Sequence, residues 1–203
     1  MAGNASSMKM LATLGIAGML SGATLVGVYT ATAPRIARNR AEALAKAIFE
    51  VVPGAETKDA WVVRDGALVQ AEPAEGEEAV YAAYDAQGKR LGFAVPAEGG
   101  GFQDTIMLIY GVDPERRLVL GMRVLESRET PGLGDKIIKD DDFVGAFSEL
   151  ALDPAIVATK KGATQPFEID AISGATISSK AVVTILNDAN VQWLPLMPSG
   201  GDD

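Results

Sequence analysis

The sequence predicts an α+β protein in which an apolar N-terminal helix precedes an antiparallel sheet with packed helices. Three observations predict this class. Residues 10–34 form an uncharged apolar stretch, residues 80–127 contain several short, partly alternating strands, and residues 35–52 and 176–190 show helical periodicity. Because short glycine- and proline-containing connections join the strands, antiparallel pairing is favoured over parallel pairing.

The apolar stretch, residues 10–34, predicts a transmembrane helix. It holds no charged residue, and a helix that crosses the hydrocarbon core needs ~20 such residues. The alternative is a cleaved signal peptide, with Lys9 as its charged region and residues 31–33 (Ala-Thr-Ala) as its cleavage site. The stretch exceeds the ~7–15 apolar residues of a typical signal peptide, and Pro34 would follow the cut, so the anchor is favoured.

The chain is predicted to contain five segments. These are a short N-terminal segment (1–9), a transmembrane helix (10–34), a juxtamembrane helix (35–54), a folded domain (55–194) and a flexible tail (195–203). Pro53-Gly54 ends the juxtamembrane helix, and a proline- and glycine-containing sequence forms the tail.

Within the folded domain, the alternation of apolar residues predicts four strands, separated by turn residues. The predicted strands are 80–85, 90–97, 105–113 and 117–127, preceded by an acidic loop at 70–79. Two helices are predicted after them, at 140–150 and 176–190; Ala181, Ile185 and Ala189 share one face of the second helix.

Composition excludes several kinds of chemistry. The chain has no cysteine and no histidine, so thiolate metal sites, disulfides and Ser-His-Asp triads are excluded. Redox chemistry therefore requires a cofactor held by other residues. The net charge is −9, and residues 41–203 hold all 27 acidic residues, which argues against a nucleic acid partner.

The segment Asp170–Lys180 (DAISGATISSK) contains the most informative motif. Its turn residues are Ser173, Gly174 and Ala175. A predicted helix begins at Thr176, and the N–H groups at a helix N-terminus favour a phosphate. Three further possible donors follow in the first turns: Ser178, Ser179 and Lys180. On composition alone an ordinary capped helix start is favoured, and an anion site is the alternative.

The motif DAISGATISS resembles the attachment motif of covalent FMN-binding domains, in which Ser-Gly-Ala-Thr carries FMN through a phosphoester to the threonine. The resemblance implies that Thr176 is the acceptor and that FMN is the cofactor. It also implies that a separate flavin transferase moves FMN from FAD onto this threonine. Asp170 matches the aspartate three residues before the serine, which the resemblance assigns to recognition by the transferase.

A second motif, ETPGLGDK, occupies residues 129–136. Pro131-Gly132 suits the centre of a type II turn, in which glycine takes a positive φ. Taken alone, an ordinary loop is favoured. In the resembling family the loop lies near the isoalloxazine ring, which implies that Leu133 packs on the ring face. It also implies that Glu129, Thr130 and nearby amides such as that of Gly132 bond the polar edge of the ring.

The order of an apolar N-terminal segment, a strand-rich middle, ETPGLG and SGAT resembles the G subunits of Rnf-type electron-transport complexes. This resemblance implies an electron-carrying flavoprotein subunit without turnover of its own. Its complex would couple reduced ferredoxin and NAD to movement of H⁺ or Na⁺, and the other subunits would be its partners. Two alternatives stay open: the FMN-carrying subunit of a sodium-pumping NADH:quinone reductase, and a membrane-tethered binding or assembly module without flavin.

The orientation of the domain is predicted differently by charge and by resemblance. Lys9 flanks one end of the apolar stretch, and three arginines (Arg35, Arg38 and Arg40) flank the other, so the positive-inside rule places the domain in the cytoplasm. The resemblance implies the periplasmic side of a bacterial inner membrane. We follow the resemblance, because long domains translocate largely regardless of charge.

Two further groups of residues are weaker candidates. Asp140–Asp142 could bind a hard cation, but acids in the first turn of a helix are more often solvated and stabilised by the helix dipole. Trp61 and Trp193 could stack on a flavin, but tryptophans are more often core or interface residues.

Overall fold

The computed structural model describes residues 2–74 and 76–198, with the backbone alone for residues 2–6. The chain divides between Ala43 and Leu44 into two units. The last five residues of the predicted tail, 199–203, lie outside the described residues, as does Met1 of the predicted N-terminal segment.

One continuous helix, α1 (Ala2–Val51), covers the predicted transmembrane segment and most of the predicted juxtamembrane helix. The predicted boundary was placed at residue 34 because the uncharged stretch ends there, and the first charged residue marks the end of an apolar segment, not of a helix. The structure places Pro34 inside the helix instead. Residues 35–51 are rich in alanine and other helix formers, which favours continuation of the helix beyond the proline.

The N-terminal part of α1 has the character of a membrane anchor. Within the described residues, Ser7–Val51 is the one helix long and apolar enough to cross a membrane. Its leucines are open to the surroundings; Leu11, Leu20 and Leu25 are each about 70% exposed. An apolar helix of this length meets the requirement for crossing the hydrocarbon core of a bilayer.

A seven-stranded antiparallel sheet forms the centre of the second unit, in the order β2-β1-β3-β4-β5-β6-β7. Its strands are β1 (Thr57–Arg64), β2 (Ala67–Gln70), β3 (Ala79–Tyr84), β4 (Arg90–Gly100), β5 (Thr105–Asp113), β6 (Leu118–Glu126) and β7 (Leu150–Ala151). A separate parallel pair consists of β8 (Val157–Thr159) and β9 (Glu168–Asp170). The four predicted strands correspond to β3, β4, β5 and β6, and the prediction of antiparallel pairing is confirmed.

The β1–β2 hairpin was not predicted from the sequence. Asp65 and Gly66 join its strands, and both take positive φ angles of 52° and 81°. An Asp-Gly pair between two strands is a strong hairpin signal, because the two-residue turn requires positive φ at both positions. The apolar residues beside this pair, 61–63 and 67–69, are consecutive and do not alternate with polar residues, so a period of two did not reveal the strands.

The sheet is covered differently on its two faces. Helix α4 (Thr176–Trp193) packs on one face, over Phe93, Leu108 and Tyr110. The end of α1 packs on the other face, where Gly111 makes room for it. A Cβ at Gly111 would lie 2.0 Å from the backbone oxygen of Val51, so only glycine fits.

Three short helical segments complete the second unit. They are α2 (Lys136–Lys139), α3 (Asp141–Gly145) and a 3₁₀ helix (Leu194–Leu196). The structure differs from the predicted flexible tail at its start, because Met197 is only 5% exposed and packs against the core. Helix α4 begins at Thr176 as predicted and continues three residues beyond the predicted end.

Candidate functional site

A cleft of about 470 Å³ brings the two predicted motifs together. The start of α4 forms one wall, and the ETPGLG loop after β6 forms another. The β4–β5 hairpin and the loop after β8 complete it. The lining residues are Phe102, Glu129, Thr130, Leu133, Gly134, Lys160, Gly174, Ala175, Thr176, Ile177 and Ser178. Its volume lies within the range of small-molecule sites.

Thr176 is the first residue of α4, is half-buried and lines the cleft. Ala175 precedes it as the N-cap residue and offers no side-chain bond to the helix. The first N–H groups of a helix have no partner within the helix, so they are open to an anion here. Gly174 takes a φ of +84°, which turns the chain into the helix and favours glycine at this position.

Glu129 ties three segments together beneath the cleft. Its Oε1 accepts hydrogen bonds from the backbone N–H groups of Phe102 (2.7 Å) and Gln103 (3.1 Å), and its Oε2 accepts one from the Ser178 hydroxyl (2.7 Å). The residue is only 5% exposed. Both carboxylate oxygens therefore accept hydrogen bonds from the protein itself, and bonding of Glu129 to a flavin edge stays a prediction.

Two glycines enclose the Glu129 carboxylate. A Cβ at Gly101 would lie 2.3 Å from Oε1, and a Cβ at Gly134 would lie 2.6 Å from Oε2 and 2.9 Å from the Ser178 Oγ. No larger residue fits at either position while the carboxylate stays in place. The second glycine of the GLG sequence is thus explained by its close approach to Glu129.

The ETPGLG loop holds the Leu133 side chain at the cleft. Gly132 has a φ of +79°, in agreement with the predicted turn, and its N–H donates to Asp135 Oδ1 (2.7 Å). Lys139 also bonds Asp135, and this side-chain bond is the main cause that lowers the pKa of the Asp135 carboxyl. Thr130 Oγ1 donates to Gln103 Oε1 (2.9 Å), which joins the loop to the hairpin.

The remaining predicted site residues lie around the cleft in different ways. Ser179 is fully buried, and its hydroxyl accepts from the Ile172 N–H (3.1 Å) and donates to the Ala175 oxygen (2.9 Å), so it shapes the turn. Ser173 and Lys180 are exposed and do not line the cleft. Asp170 is exposed at the end of β9, and its Oδ1 accepts from the Ala163 N–H (2.9 Å).

Comparison with known proteins assigns the family. Residues 101–190 match the FMN-binding domain family. The chain is 30% identical over 190 residues to the G subunit of the ion-translocating oxidoreductase complex of Methanosarcina acetivorans, covering 89% of this chain and 91% of that protein. The corresponding G subunit of Aliivibrio fischeri strain ES114 is 34% identical over 169 residues, with 79% and 78% covered. The chain belongs to the G-subunit family of Rnf-type ion-translocating oxidoreductase complexes.

Solved structures support the same fold for this G-subunit family member. The C subunit of the Na⁺-translocating NADH-quinone reductase from Parabacteroides distasonis aligns with a TM-score of 0.62 at 20% identity, covering 82% of this chain and 98% of that chain. The NqrC structure from Shewanella oneidensis aligns with a TM-score of 0.51 at 25% identity, covering 59% and 56%. The resemblance stated from the motifs is thereby confirmed at the level of family, fold and FMN-binding domain.

The cleft of this G-subunit family member fits a planar, anionic ligand such as FMN. Three apolar side chains around it are strongly exposed: Phe102 (62%), Ile177 (58%) and Leu133 (50%). Such side chains suit the faces of an aromatic ring, because they gain by being covered. The uncapped start of α4 suits a phosphate, and Lys160 contributes a cation to the lining.

Phe102, Lys160, Gly134 and Ile177 were not identified as cofactor-site residues from the sequence. A weak signal existed for two of them. Phe102 is a large aromatic residue directly after Gly99-Gly100-Gly101, where a turn leaves it exposed, and Ile177 falls outside the apolar face of α4. For Lys160 the sequence held no signal, because its place depends on the β8–β9 pairing.

The weaker candidates have structural roles. Asp140 caps α3, since its Oδ1 accepts from the Phe143 N–H (3.1 Å), and Asp141 and Asp142 occupy the first turn as predicted. Among the residues described, no group of three acidic side chains could hold a metal ion. Trp193 is buried in the core, and Trp61 packs edge-on against a core phenylalanine.

Proposed function

We propose that this chain carries FMN on the Thr176 hydroxyl and relays electrons inside an Rnf-type complex that links reduced ferredoxin and NAD to ion movement. The observation that supports this proposal most strongly is the position of Thr176. It lies at an uncapped helix start, which lines the same cleft as the ETPGLG loop. A relative from Clostridium ljungdahlii, 37% identical over 101 residues and covering 50% of this chain and 52% of that protein, is named as the G subunit of a proton-translocating ferredoxin:NAD⁺ oxidoreductase complex.

The proposed attachment is a phosphoryl transfer with FAD as donor. The Thr176 oxygen forms a bond to the phosphorus on the FMN side, the phosphoanhydride bond breaks, AMP leaves, and the hydroxyl proton passes to solvent. A flavin transferase performs this step, and we assign Asp170 to its recognition. The exposure of Asp170 and the half-exposed state of Thr176 leave both accessible to another protein.

The chain's own residues bind and orient the group. The N–H groups at the start of α4 and the Lys160 ammonium would hold the phosphate. Leu133, Phe102 and Ile177 would cover the faces of the ring, and Glu129 holds the hairpin, the loop and the helix together beneath them. When bound, FMN supplies reversible electron transfer. No general base is required, in agreement with a chain that has no histidine.

The subunits that copurify with the chain distinguish an Rnf-type complex from the alternative, a sodium-pumping quinone reductase. The 25% identity to the NqrC structure supports this alternative. The alignment with the G subunit of Methanosarcina acetivorans, however, covers more of both chains than the alignment with NqrC does. We therefore expect copurification with subunits of an Rnf-type complex. Recovery with the subunits of a sodium-pumping quinone reductase would establish the alternative.

We propose that the FMN-binding domain lies on the periplasmic side of a bacterial inner membrane. Long domains translocate largely regardless of flanking charge, so the arginines after the apolar segment do not prevent this. Protease added to intact spheroplasts should then degrade the domain. Protection in intact spheroplasts, with degradation only after lysis, would place the domain in the cytoplasm.

In-gel fluorescence of the denatured protein tests the flavin attachment. The chain is produced with its flavin transferase, beside the variants Thr176→Val and Thr130→Val. Thr130 is the matched control, because it is the other threonine that lines the cleft. A fluorescent wild-type band, a fluorescent Thr130→Val band and a dark Thr176→Val band are expected. A dark wild-type band, with the transferase active on another substrate, would favour the binding module without flavin.

A further inference from the structure

The C-terminal part of strand β4, inside the central sheet, has a neighbouring strand on one side only. Strand β4 pairs with β5 along Phe93–Gly100, but its pairing with β3 ends at Ala94. Among the described residues, no strand pairs with Ala97–Gly100 on the β3 side. Every second backbone N–H and C=O along this stretch therefore faces away from β5 and lacks a ladder partner.

A groove of about 650 Å³ surrounds this open edge on both faces of the sheet. On the α1 face its walls are Leu44, Tyr81 and Leu125, and on the α4 face they are Ala97, Ile185 and Trp193. A strand that continues the line of β3 beside β4 would place alternate side chains on these two faces. The groove thus lies where a further strand of the sheet would lie.

The groove is acidic. Four carboxylates line it: Glu77, Glu78, Glu98 and Asp188. Glu77 pairs with Arg64, and Glu78 accepts from Gln192 Nε2 at 3.0 Å, whereas Glu98 and Asp188 have no ion-pair partner in the described chain. No lysine or arginine of the described residues lines the groove. Its charge complements a basic segment and repels an acidic one.

We propose that this groove, which Ala97 and Glu98 of the open β4 edge line together with the acidic rim, receives an extended basic segment of another member of the complex, which adds a strand to the sheet. Backbone hydrogen bonds to the open edge provide the affinity, and the rim selects lysine and arginine side chains. The proposal rests on membership in a multi-subunit complex and not on flavin attachment, so the flavin content of each sample separates its failure from failure of the proposed function.

Hydrogen exchange on the wild-type chain tests whether the edge is covered. Those amides of Ala97–Gly100 that point away from β5 should exchange roughly tenfold or more slowly in the assembled complex than in the isolated chain. Strand β2 (Ala67–Gln70) is the matched control, because it is the outer edge of the same sheet and should not change. Equal exchange of Ala97–Gly100 in both states would overturn the proposal.

Photocrosslinking in the assembled complex identifies the occupant. The crosslinker p-benzoylphenylalanine replaces Gln192 at the rim of the groove, and in a control chain it replaces Val191, which is 79% exposed and does not line the groove. Position 192 should capture a lysine- or arginine-containing segment of another member of the complex that position 191 does not capture. Capture of a second copy of this chain, capture of a segment without basic residues, or no capture would each overturn the proposal.

Charge reversal tests the acidic rim. The double variant Glu98→Lys, Asp188→Lys should reduce the yield of copurified subunits roughly tenfold or more, because like charges across an interface are strongly unfavourable. The control, Glu56→Lys with Glu149→Lys, reverses two exposed acids outside the groove and should retain the wild-type yield. Equal yields from both double variants would contradict the proposed role of the rim.

Discussion

Replacing Glu129 tests the construction of the cleft. Glu129→Ala removes three hydrogen bonds, from the Phe102 and Gln103 N–H groups and from the Ser178 hydroxyl. A hydrogen bond to a charged group contributes about 1.5–3 kcal/mol, and water recovers part of this at the exposed hairpin. We therefore expect the free energy of unfolding to fall by about 3 kcal/mol, which lowers Tm by about 6–12 °C.

Glu129→Gln is the matched variant. Its amide oxygen can still accept from the Phe102 and Gln103 N–H groups, and its amide N–H can donate to the Ser178 oxygen if that hydroxyl turns. We expect a loss of only about 1 kcal/mol. If the alanine variant lost no more stability than the glutamine variant, the bridging role of Glu129 would be refuted.

The assay is thermal unfolding of the full chain, followed by circular dichroism, in a Thr176→Val background. This background removes the proposed flavin attachment from every sample, so a change in Tm reports the protein alone. In the background with Thr176 intact, the flavin spectrum of Glu129→Gln should match that of the wild type. The spectrum of Glu129→Ala should shift, because the ring loses its fixed surroundings.

The remaining predictions concern the end of α1 and the ETPGLG loop. Gly111→Ala should destabilise the chain by about 3 kcal/mol or more, because its Cβ would lie 2.0 Å from the Val51 oxygen; urea unfolding measures this. The side-chain bond from Lys139 lowers the pKa of Asp135 in the folded state. The ionised Asp135 carboxylate therefore stabilises the fold above the ordinary aspartate pKa, and this stabilisation is lost as pH falls through the folded-state pKa. Unfolding measured from neutral pH to about pH 2 should therefore show a smaller acid-side loss for Asp135→Asn than for the wild type.

The Gly111 prediction has a matched control in the chain. Gly121→Ala places its Cβ 3.3 Å from the same Val51 oxygen, so a small adjustment accommodates it and its cost should be well below that of Gly111→Ala. Equal costs at the two glycines would contradict the packing of α1 on the sheet. An unchanged acid-side loss in Asp135→Asn would contradict the assignment of that loss to Asp135.

The long apolar strands could be predicted from the sequence, and the shortest strands could not. β3 to β6 contain apolar runs between turn residues that alternate only in part, because both faces of the sheet are covered. β7, β8 and β9 have only two or three residues each, so their pairing depends on distant parts of the chain. The continuity of α1 through Pro34 was missed, because the boundary was placed where the uncharged stretch ends and the helix formers that follow extend the same helix.

At the candidate site, the motifs predicted the backbone geometry better than the contacts between distant residues. The start of α4 at Thr176 and the turn at Gly132 follow from local backbone preferences. The engagement of Glu129 by the hairpin and by Ser178 joins residues 26 to 49 positions apart, which spacing in the sequence does not show. The place of Lys160 depends likewise on tertiary packing.

Peptide mass spectrometry of the chain produced with its flavin transferase tests the central claim most directly. The peptide that contains Thr176 should carry the added mass of FMN less one water, and fragmentation should place the addition on the threonine oxygen. The same peptide from Thr176→Val should be unmodified. An unmodified Thr176 peptide from a preparation with active transferase, or an addition located on Ser173 or Ser178, would contradict the account.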